Sequence, residues 1–491
     1  MAGKGADVGL MDPGQFNLER AELITSEGTF VDLSKSIMEL TIVEGIDKKS
    51  ISGYIALVDN VSLATIGPII GKEYIILKIS TPTLDDSEFT IDFTNNVLHV
   101  NKIESRLEIG NNTSFNLLQF TSSEIVHNQR TLISRSLKGT YSDIVTQLLR
   151  NDVNCKKDLF IEESVGLKKY IAPNVRPFDI ISTMSRQAVS VYNSSPTFVF
   201  YENIRGYHFR SLESLYALGT VFEYTEGTAG STQGKIGEKG SENAQLANSL
   251  RRILSYAIPQ GTDTLAATVV GALSSQLLVH DITNKRVTSH TYNYFENRKD
   301  EKHINYWHGL TDNPVYNGVE IDKSGRTISD FPSVQFLTPE AQSRFDTYTP
   351  SENVNFPYVN RQSENWLQKR RSYMINLLSS HGITINVMGT TLVSAGDCVQ
   401  LHMLEKTGTE QGKDPDRFFQ GPFLVHTIKH DFNMSSSKHT MSLSLLKDSV
   451  LSEFNNEDNH VEPKPINSGQ IFSDDDFYRN RDFLPAGDDA R

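Results

Sequence analysis

The sequence predicts a mainly β protein of the α+β kind, with two antiparallel β-barrels, an inserted α/β domain and a helical and irregular insertion. Three observations predict this class. Apolar residues make up only 38% of the 491 residues and come in short runs, turn-forming residues are plentiful between those runs, and a glycine-rich gap separates two strand-rich segments. Short apolar runs between turn residues are typical of antiparallel sheets, and a chain of this length has room for several domains.

The first predicted barrel covers residues 16–128 and follows a small, polar N-terminal arm at residues 1–15. Turn residues separate its strand-length runs, with no long helical pattern between them. We expect the sheet to close on itself, because closure removes unpaired strand edges. The seven runs are Phe30–Leu33, Ser36–Glu44, Ser52–Asp59, Glu73–Ser80, Phe89–Phe93, Asn96–Ile103 and Ser114–Thr121.

Residues 129–225 predict an α/β domain with its own core. Thr140-Tyr-Ser-Asp143 has the form of a capping box, which starts a helix by satisfying its free N–H groups. Pro177 suits the first turn of a second helix, because its fixed φ is already helical. Thr197–Glu202 and Gly206–Ser211 then predict a β-hairpin.

The rest of the chain divides by composition. Residues 226–246 hold five glycines and little apolar surface, so they predict a flexible loop. The second barrel is predicted in two parts, residues 247–300 and 381–450, with an insertion containing a helix at residues 301–380. Residues 451–491 hold ten acidic and four basic side chains and predict an acidic C-terminal tail.

Charge and cysteine content limit the possible functions. The formal net charge of −13 argues against a general phosphate-binding surface, so no specific nucleic-acid binding is expected. Cys155 and Cys398 are the only cysteines, which excludes a disulfide framework and a cysteine-based zinc site. No apolar stretch reaches the ~18 residues that a membrane span needs, so no membrane anchor is expected.

Two motifs that suggest binding sites are weak. Gly67-Pro-Ile-Ile-Gly-Lys72 has some features of a phosphate loop, but it is one residue short and Pro68 removes a backbone N–H. His426 and His430 are four residues apart in a strand pattern, which separates them by about 13 Å. That distance is too long for one metal ion, although His439 and other neighbours across the sheet could change the arrangement.

Catalytic patterns are also missing from the sequence. The chain has no Gly-x-Ser-x-Gly elbow, no His-Glu-x-x-His and no dinucleotide-binding glycine pattern. Carboxylates are abundant, but no spacing selects a glycosidase pair. Tyr306-Trp307 could line a sugar site, but packing is the favoured role. We therefore predict no enzyme, no catalytic residues, no cofactor and no metal site.

Several segments, in order along residues 20–450, resemble the baseplate hub protein of contractile-tailed bacteriophages. The segment Phe198–Leu212, which contains the predicted hairpin, is the most specific of them. The resemblance depends on the order of all the segments along the chain. The segments are Glu39–Ile46 with Ile51–Asp59, Ile66–Glu73, Arg176–Ser182, Phe198–Leu212, Gly389–Asp397 and Gly421–His430.

This resemblance implies two barrels that are each similar to a tail-tube subunit. It also implies a homotrimer in which six barrels form a pseudo-sixfold ring between a hexameric tail tube and a trimeric central spike. The expected partners are therefore other copies of the chain, the spike or tail lysozyme protein, tail-tube or tube-initiator proteins, and baseplate wedge proteins. The expected location is the virion baseplate, after assembly in the cytoplasm of the host bacterium.

Two alternatives stay open. The first is the N-terminal part of a spike like those of type VI secretion systems, which would continue into a small barrel and a repetitive β-helix. The second, from another class, is a cell-wall glycan hydrolase. The short acidic tail weighs against the first alternative, and the lack of a selected carboxylate pair weighs against the second.

Overall fold

A computed structural model gives the structure of the chain, and the described residues lie within one unit, Met1–Leu451. They are residues 12–59, 71–82, 88–108, 114–227, 248–258, 264–281, 285–298, 303–304, 326, 328–340, 367–379, 381–404, 416 and 418–448. Most of the predicted N-terminal arm, glycine-rich loop and irregular insertion, with Tyr306-Trp307 and the whole acidic tail, lies outside these residues.

The structure is mainly β, which confirms the predicted class. Its strands are β1 Asn17–Ile24, β2 Phe30–Asp32, β3 Ile37–Gly45, β4 Ser52–Asp59, β5 Tyr74–Pro82, β6 Glu88–Asp92, β7 Leu98–Glu108, β8 Ser114–Ser122, β9 Ser136–Thr140, β10 Leu159–Ile161, β11 Leu167–Ile171, β12 Phe198–Asn203, β13 Gly206–Ser211, β14 Thr220–Thr225, β15 Ile253–Ala257, β16 Ser274–Asp281, β17 Arg286–Asn293, β18 Val334–Glu340, β19 His381–Met388, β20 Cys398–His402, β21 Gly421–Asn433 and β22 Lys438–Lys447.

The helices are short and few. They are α1 Ser123–Arg130, α2 Tyr141–Gln147, α3 Pro177–Ser185, α4 Leu212–Tyr216, α5 Thr264–Val269, α6 Tyr294–Arg298 and α7 Lys369–Ser379, together with a π turn at Leu148–Asp152 and a 3-10 turn at Ile328–Asp330. No described helix has the length and apolar character needed to cross a membrane.

The two predicted barrels share one sheet. Fourteen strands pair continuously, and β3 of the first half pairs antiparallel with β21 of the second half, from Gly45 opposite Thr427 to Glu39 opposite Asn433. The pairing of the described strands forms an open path rather than two closed barrels. We call the two parts of this sheet the first roll (β1–β8) and the second roll (β14, β15 and β19–β22).

Strand β21 of the second roll contributes side chains to the cores of both rolls. Phe423, Val425 and Ile428 contribute to the core of the second roll, while Phe432 contributes to the core of the first. A bulge between Val425 and Thr427 changes the alternation, so side chains on both sides of the bulge can face inward. Phe432 also packs edge-on against Phe16, with 5.2 Å between the ring centroids.

Isolated bridges add contacts at the open edges of the sheet. Gln15, just before β1, bridges antiparallel to Lys438 of β22, and Thr225 of β14 bridges parallel to Arg252. The buried apolar side chains of each roll form a single core. Each roll therefore encloses a core as a barrel does, without a continuous ladder around it.

Buried residues between Ile133 and Phe209 share a hydrophobic core of their own, and we keep the name α/β domain for this part of the chain. The side chain of Thr140 accepts from Asp143 N–H at 3.1 Å, and Thr140 N–H donates to the Asp143 carboxylate at 3.0 Å, so the predicted capping box is present. Pro177 starts α3, as predicted. Strands β10, β13 and β12 form one small sheet, and β9 and β11 form another.

The second roll differs from its prediction in three strands. Strand β14, from the segment predicted as α/β domain, pairs parallel with β20. Strands β16 and β17, predicted within the second barrel, instead pair with each other, and β16 pairs with β18 in a separate three-stranded sheet. Alternating apolar residues predict a strand but do not select its partner, which explains both differences.

Candidate functional site

The hairpin of β12 and β13 lies at the junction of the α/β domain and the two rolls. Its turn is fixed locally, because Asn203 Oδ1 accepts from Arg205 N–H at 3.0 Å and Gly206 N–H at 3.2 Å. Gly206 has a φ of +146°, and a Cβ there would lie 2.3 Å from the carbonyl oxygen of Asp158. The turn therefore needs glycine at this position.

The turn of the hairpin binds the second roll. The Arg205 guanidinium donates to both carboxylate oxygens of Asp397, at 2.8 and 2.7 Å, and to the Leu392 carbonyl at 2.9 Å. Asn203 Nδ2 donates to the Ala395 carbonyl at 3.0 Å. A bidentate arginine–carboxylate pair fixes orientation as well as distance, so the turn binds the loop before β20 in one defined orientation.

Glu44 of β3 joins this contact to the first roll. Its carboxylate accepts from Ile204 N–H at 2.8 Å and from Ala395 N–H at 2.7 Å. Burial raises the pKa of Glu44 to about 7, against the lowering effect of the two backbone N–H groups. One buried side chain of the first roll is thus bonded to both the hairpin and the second roll.

Glu202 makes a second connection from the hairpin to the first roll. Its carboxylate accepts from Ile51 N–H and from Ser122 Oγ, both at 2.9 Å, and from Lys157 Nζ at 2.5 Å. Lys157 also donates to Glu124 at 2.8 Å. Burial lowers the pKa of Lys157, but Glu202 and Glu124 outweigh that effect and raise it overall, so the ammonium is charged at neutral pH.

Close packing supports the polar contacts. Gly396 has a φ of +91°, and a Cβ there would lie 2.1 Å from the hydroxyl oxygen of Tyr201. Tyr201 also stacks on His208 with 4.7 Å between centroids, and His208 stacks on Phe160 at 4.5 Å. Burial lowers the pKa of His208 to about 3, so the ring is neutral. The hairpin is therefore held by interlocking rings as well as by hydrogen bonds.

The buried polar residues of the junction were missed in the sequence. Glu44 and Glu202 are acidic residues in largely apolar strands, and a carboxylate in a strand pattern is usually exposed. A signal was present, since both lie within segments that carry the resemblance to hub proteins. The sequence offers no sign of which backbone N–H groups they bind.

The motifs that the sequence suggested as binding sites have other contacts in the structure. Gly71 and Lys72 N–H donate to the Glu73 carboxylate at 2.8 and 3.0 Å, in a turn before β5, whereas residues 60–70 lie outside the described part of the chain. Cys155 and Cys398 are buried free thiols. Within the described ranges, no group of three or more His, Cys, Asp or Glu is arranged to hold a metal ion.

His430 and His439 meet across the pair of β21 and β22, which the spacing of His426 and His430 did not indicate. His430 Nδ1 lies 3.1 Å from His439 Nε2, and both rings are buried. Burial lowers the pKa of His430 to about 4 and also lowers that of His439. The pair is therefore neutral and packs in the wall between the two rolls.

Comparison with curated proteins identifies one relative. A probable baseplate hub protein of Vibrio phage KVP40 is 22% identical over 307 residues, which are 62% of this chain and 66% of that protein. The match thus spans just under two thirds of the relative's length. No family model matches the chain. The relative confirms the resemblance to phage baseplate hub proteins.

Solved structures with a similar overall course are tail proteins. A tail protein of Neisseria meningitidis has a TM-score of 0.49 at 10% identity, covering 88% of this chain and 97% of its own. A tail protein of prophage MuSo2 from Shewanella oneidensis has a TM-score of 0.45 at 9% identity, covering 87% and 98%. TM-scores below 0.5 do not establish a shared fold or function.

The contacts described at the junction are structural ones. The junction contains buried ion pairs and hydrogen bonds that hold parts of the fold together, and the curated relative is named as a hub component rather than an enzyme. The chain is therefore similar to a phage baseplate hub protein.

Proposed function

We propose that this chain is a structural hub subunit of the baseplate of a contractile phage tail. Three copies form a ring in which six barrel-like rolls imitate sixfold symmetry. The ring joins a hexameric tail tube to a trimeric central spike. This proposal rests on the resemblance to hub proteins and on one structural observation, the presence of two rolls in one chain, joined by β21.

The proposed geometry follows from symmetry. A trimer of two-roll chains presents six similar walls to a sixfold partner and three identical junctions to a threefold partner. Heterologous contacts generate such a ring when the rotation between neighbours closes. The proposed partners are other copies of the chain, tube or tube-initiator proteins, the spike protein and baseplate wedge proteins. The proposed location is the virion baseplate, after assembly in the host cytoplasm.

Mass measurement tests the oligomeric state. At micromolar concentration we expect a species of three times 55.0 kDa, about 165 kDa, alone or with the spike protein. Electron cryomicroscopy of that species would show six similar lobes around a threefold axis. A chain that stays monomeric with and without the spike and tube proteins would contradict the proposal.

A further inference from the structure

Two exposed strand pairs of the chain carry like charges directly opposite each other. In β1 and β2, Glu22 lies opposite Asp32. In β9 and β11, Lys138 lies opposite Lys169. Like charges that face each other across a strand pair destabilise it. The two like-charged pairs have opposite signs.

Each pair also has an exposed apolar neighbour at the same offset. Phe30 is 60% exposed and lies two residues from Asp32, while Ile171 is 71% exposed and lies two residues from Lys169. Residues two apart in a strand share a face at a separation of about 7 Å. We call Glu22, Asp32 and Phe30 the acidic patch, and Lys138, Lys169 and Ile171 the basic patch.

The opposite faces of both strand pairs are covered. Ala21 and Leu23 of β1 are buried in the core of the first roll, and Val31 of β2 packs against it. Leu137 of β9 is buried in the core of the α/β domain, and Tyr170 packs against that core. The two patches are therefore the outward faces of these strands, and a partner can reach them.

The local ion pairs leave the basic patch uncompensated. Arg20 donates to Glu22 at 2.8 and 2.7 Å, so part of the acidic charge is balanced within its own sheet. Neither Lys138 nor Lys169 has an ion-pair partner within the described part of the chain. The basic patch thus presents two ammonium groups that are free to pair with carboxylates from outside.

The two regions that contain the patches also differ in overall charge, with the same signs as the patches. Residues 16–128 hold eight Lys and Arg against sixteen Asp and Glu, whereas residues 129–225 hold twelve against nine. Residues 16–128 therefore have a balance of −8 and residues 129–225 a balance of +3. Complementary potentials of this kind steer association and fix which surfaces meet.

We infer that the acidic patch of one copy docks on the basic patch of a second copy. Both patches are exposed on the single chain, so the contact forms between two chains. It pairs two carboxylates with two ammonium groups and brings the two exposed apolar side chains together. The contact is heterologous, since different surfaces of the two copies meet, and such contacts build rings. This inference rests on the proposed hub function and names the surfaces that hold its trimer together.

Charge reversal tests the contact. We expect Lys138→Glu with Lys169→Glu, and separately Glu22→Lys with Asp32→Lys, to raise the dissociation constant of the trimer about tenfold or more, because like charges then meet across the interface. All four substitutions in one chain restore opposite charges and should restore the trimer. Analytical ultracentrifugation in about 0.15 M salt measures each mass, and circular dichroism confirms folding.

A matched control isolates the position of the charges. Lys156 and Lys438 are exposed. Replacing both with glutamate changes the net charge by as much as Lys138→Glu with Lys169→Glu does, and in the same direction. This variant should remain trimeric. A wild-type trimer whose two reversal variants are folded and equally trimeric would overturn this inference alone. A wild-type chain that is always monomeric would overturn both the inference and the proposed hub function.

Discussion

Arg205 and Asp397 are 192 positions apart in the chain and form a bidentate ion pair, with N–O distances of 2.8 and 2.7 Å. Asp397 is almost fully buried, whereas the Arg205 side chain is 40% exposed. Asp397 also accepts from Ser394 N–H at 2.9 Å. The pair therefore fastens the hairpin turn to a loop whose shape the same carboxylate maintains.

Removal of the Arg205 side chain should weaken the contact between the hairpin turn and the loop before β20. We expect Arg205→Ala to lower the free energy of unfolding by about 2 kcal/mol, less than the 3–5 kcal/mol of a fully buried pair because solvent screens the guanidinium. Urea unfolding measures the change. Lys102→Ala, which breaks a pair with Glu104 whose side chains are 56% and 47% exposed, is the control and should cost about 1 kcal/mol or less. Equal losses in the two variants would contradict the structural role of Arg205.

Gly396 should tolerate no side chain. We expect Gly396→Ala to destabilise the protein by more than about 2 kcal/mol, because its positive φ is strained for alanine and the Cβ meets the Tyr201 hydroxyl. Gly28→Ala separates the two causes, since Gly28 has a φ of +82° with nothing within 4 Å of the added Cβ. If thermal unfolding shows the same loss for both variants, the close contact with Tyr201 has no energetic weight.

Glu44 should make stability depend on pH in a definite direction. Its folded pKa is about 7 and its ordinary value is 4.5, so its contribution is fully present below about pH 4.5 and is lost as the pH rises through 7. The stability of the wild type relative to Glu44→Gln should therefore fall by about 3 kcal/mol over this range. Urea unfolding of both proteins at several pH values measures the difference, and a flat or rising difference would contradict the prediction.

Lys157 should be required as long as its two carboxylate partners remain. We expect Lys157→Met to cost about 3–5 kcal/mol, because it leaves Glu202 and Glu124 buried without their cation. Adding Glu202→Gln and Glu124→Gln should recover part of that loss, because the buried negative charge is then removed. Denaturant unfolding of the single and triple variants compares them. A triple variant less stable than Lys157→Met would show that the charges are not the cause.

Much of the fold follows from local patterns in the sequence. The capping box at Thr140–Asp143 and the first turn at Pro177 were predicted because each depends on residues a few positions apart. The pairing of β3 with β21 was not, since it joins residues almost 400 positions apart and alternation is equally satisfied by many partners. For the same reason, single acidic residues such as Glu44 and Glu202 could not be assigned to buried junctions.

The shared strand has a consequence for how the molecule can be divided. Because β21 supplies side chains to both hydrophobic interiors, neither half of the sheet could be excised and keep its wall intact. Heat or mechanical load applied to one half should be transmitted to the other, and the two should melt together.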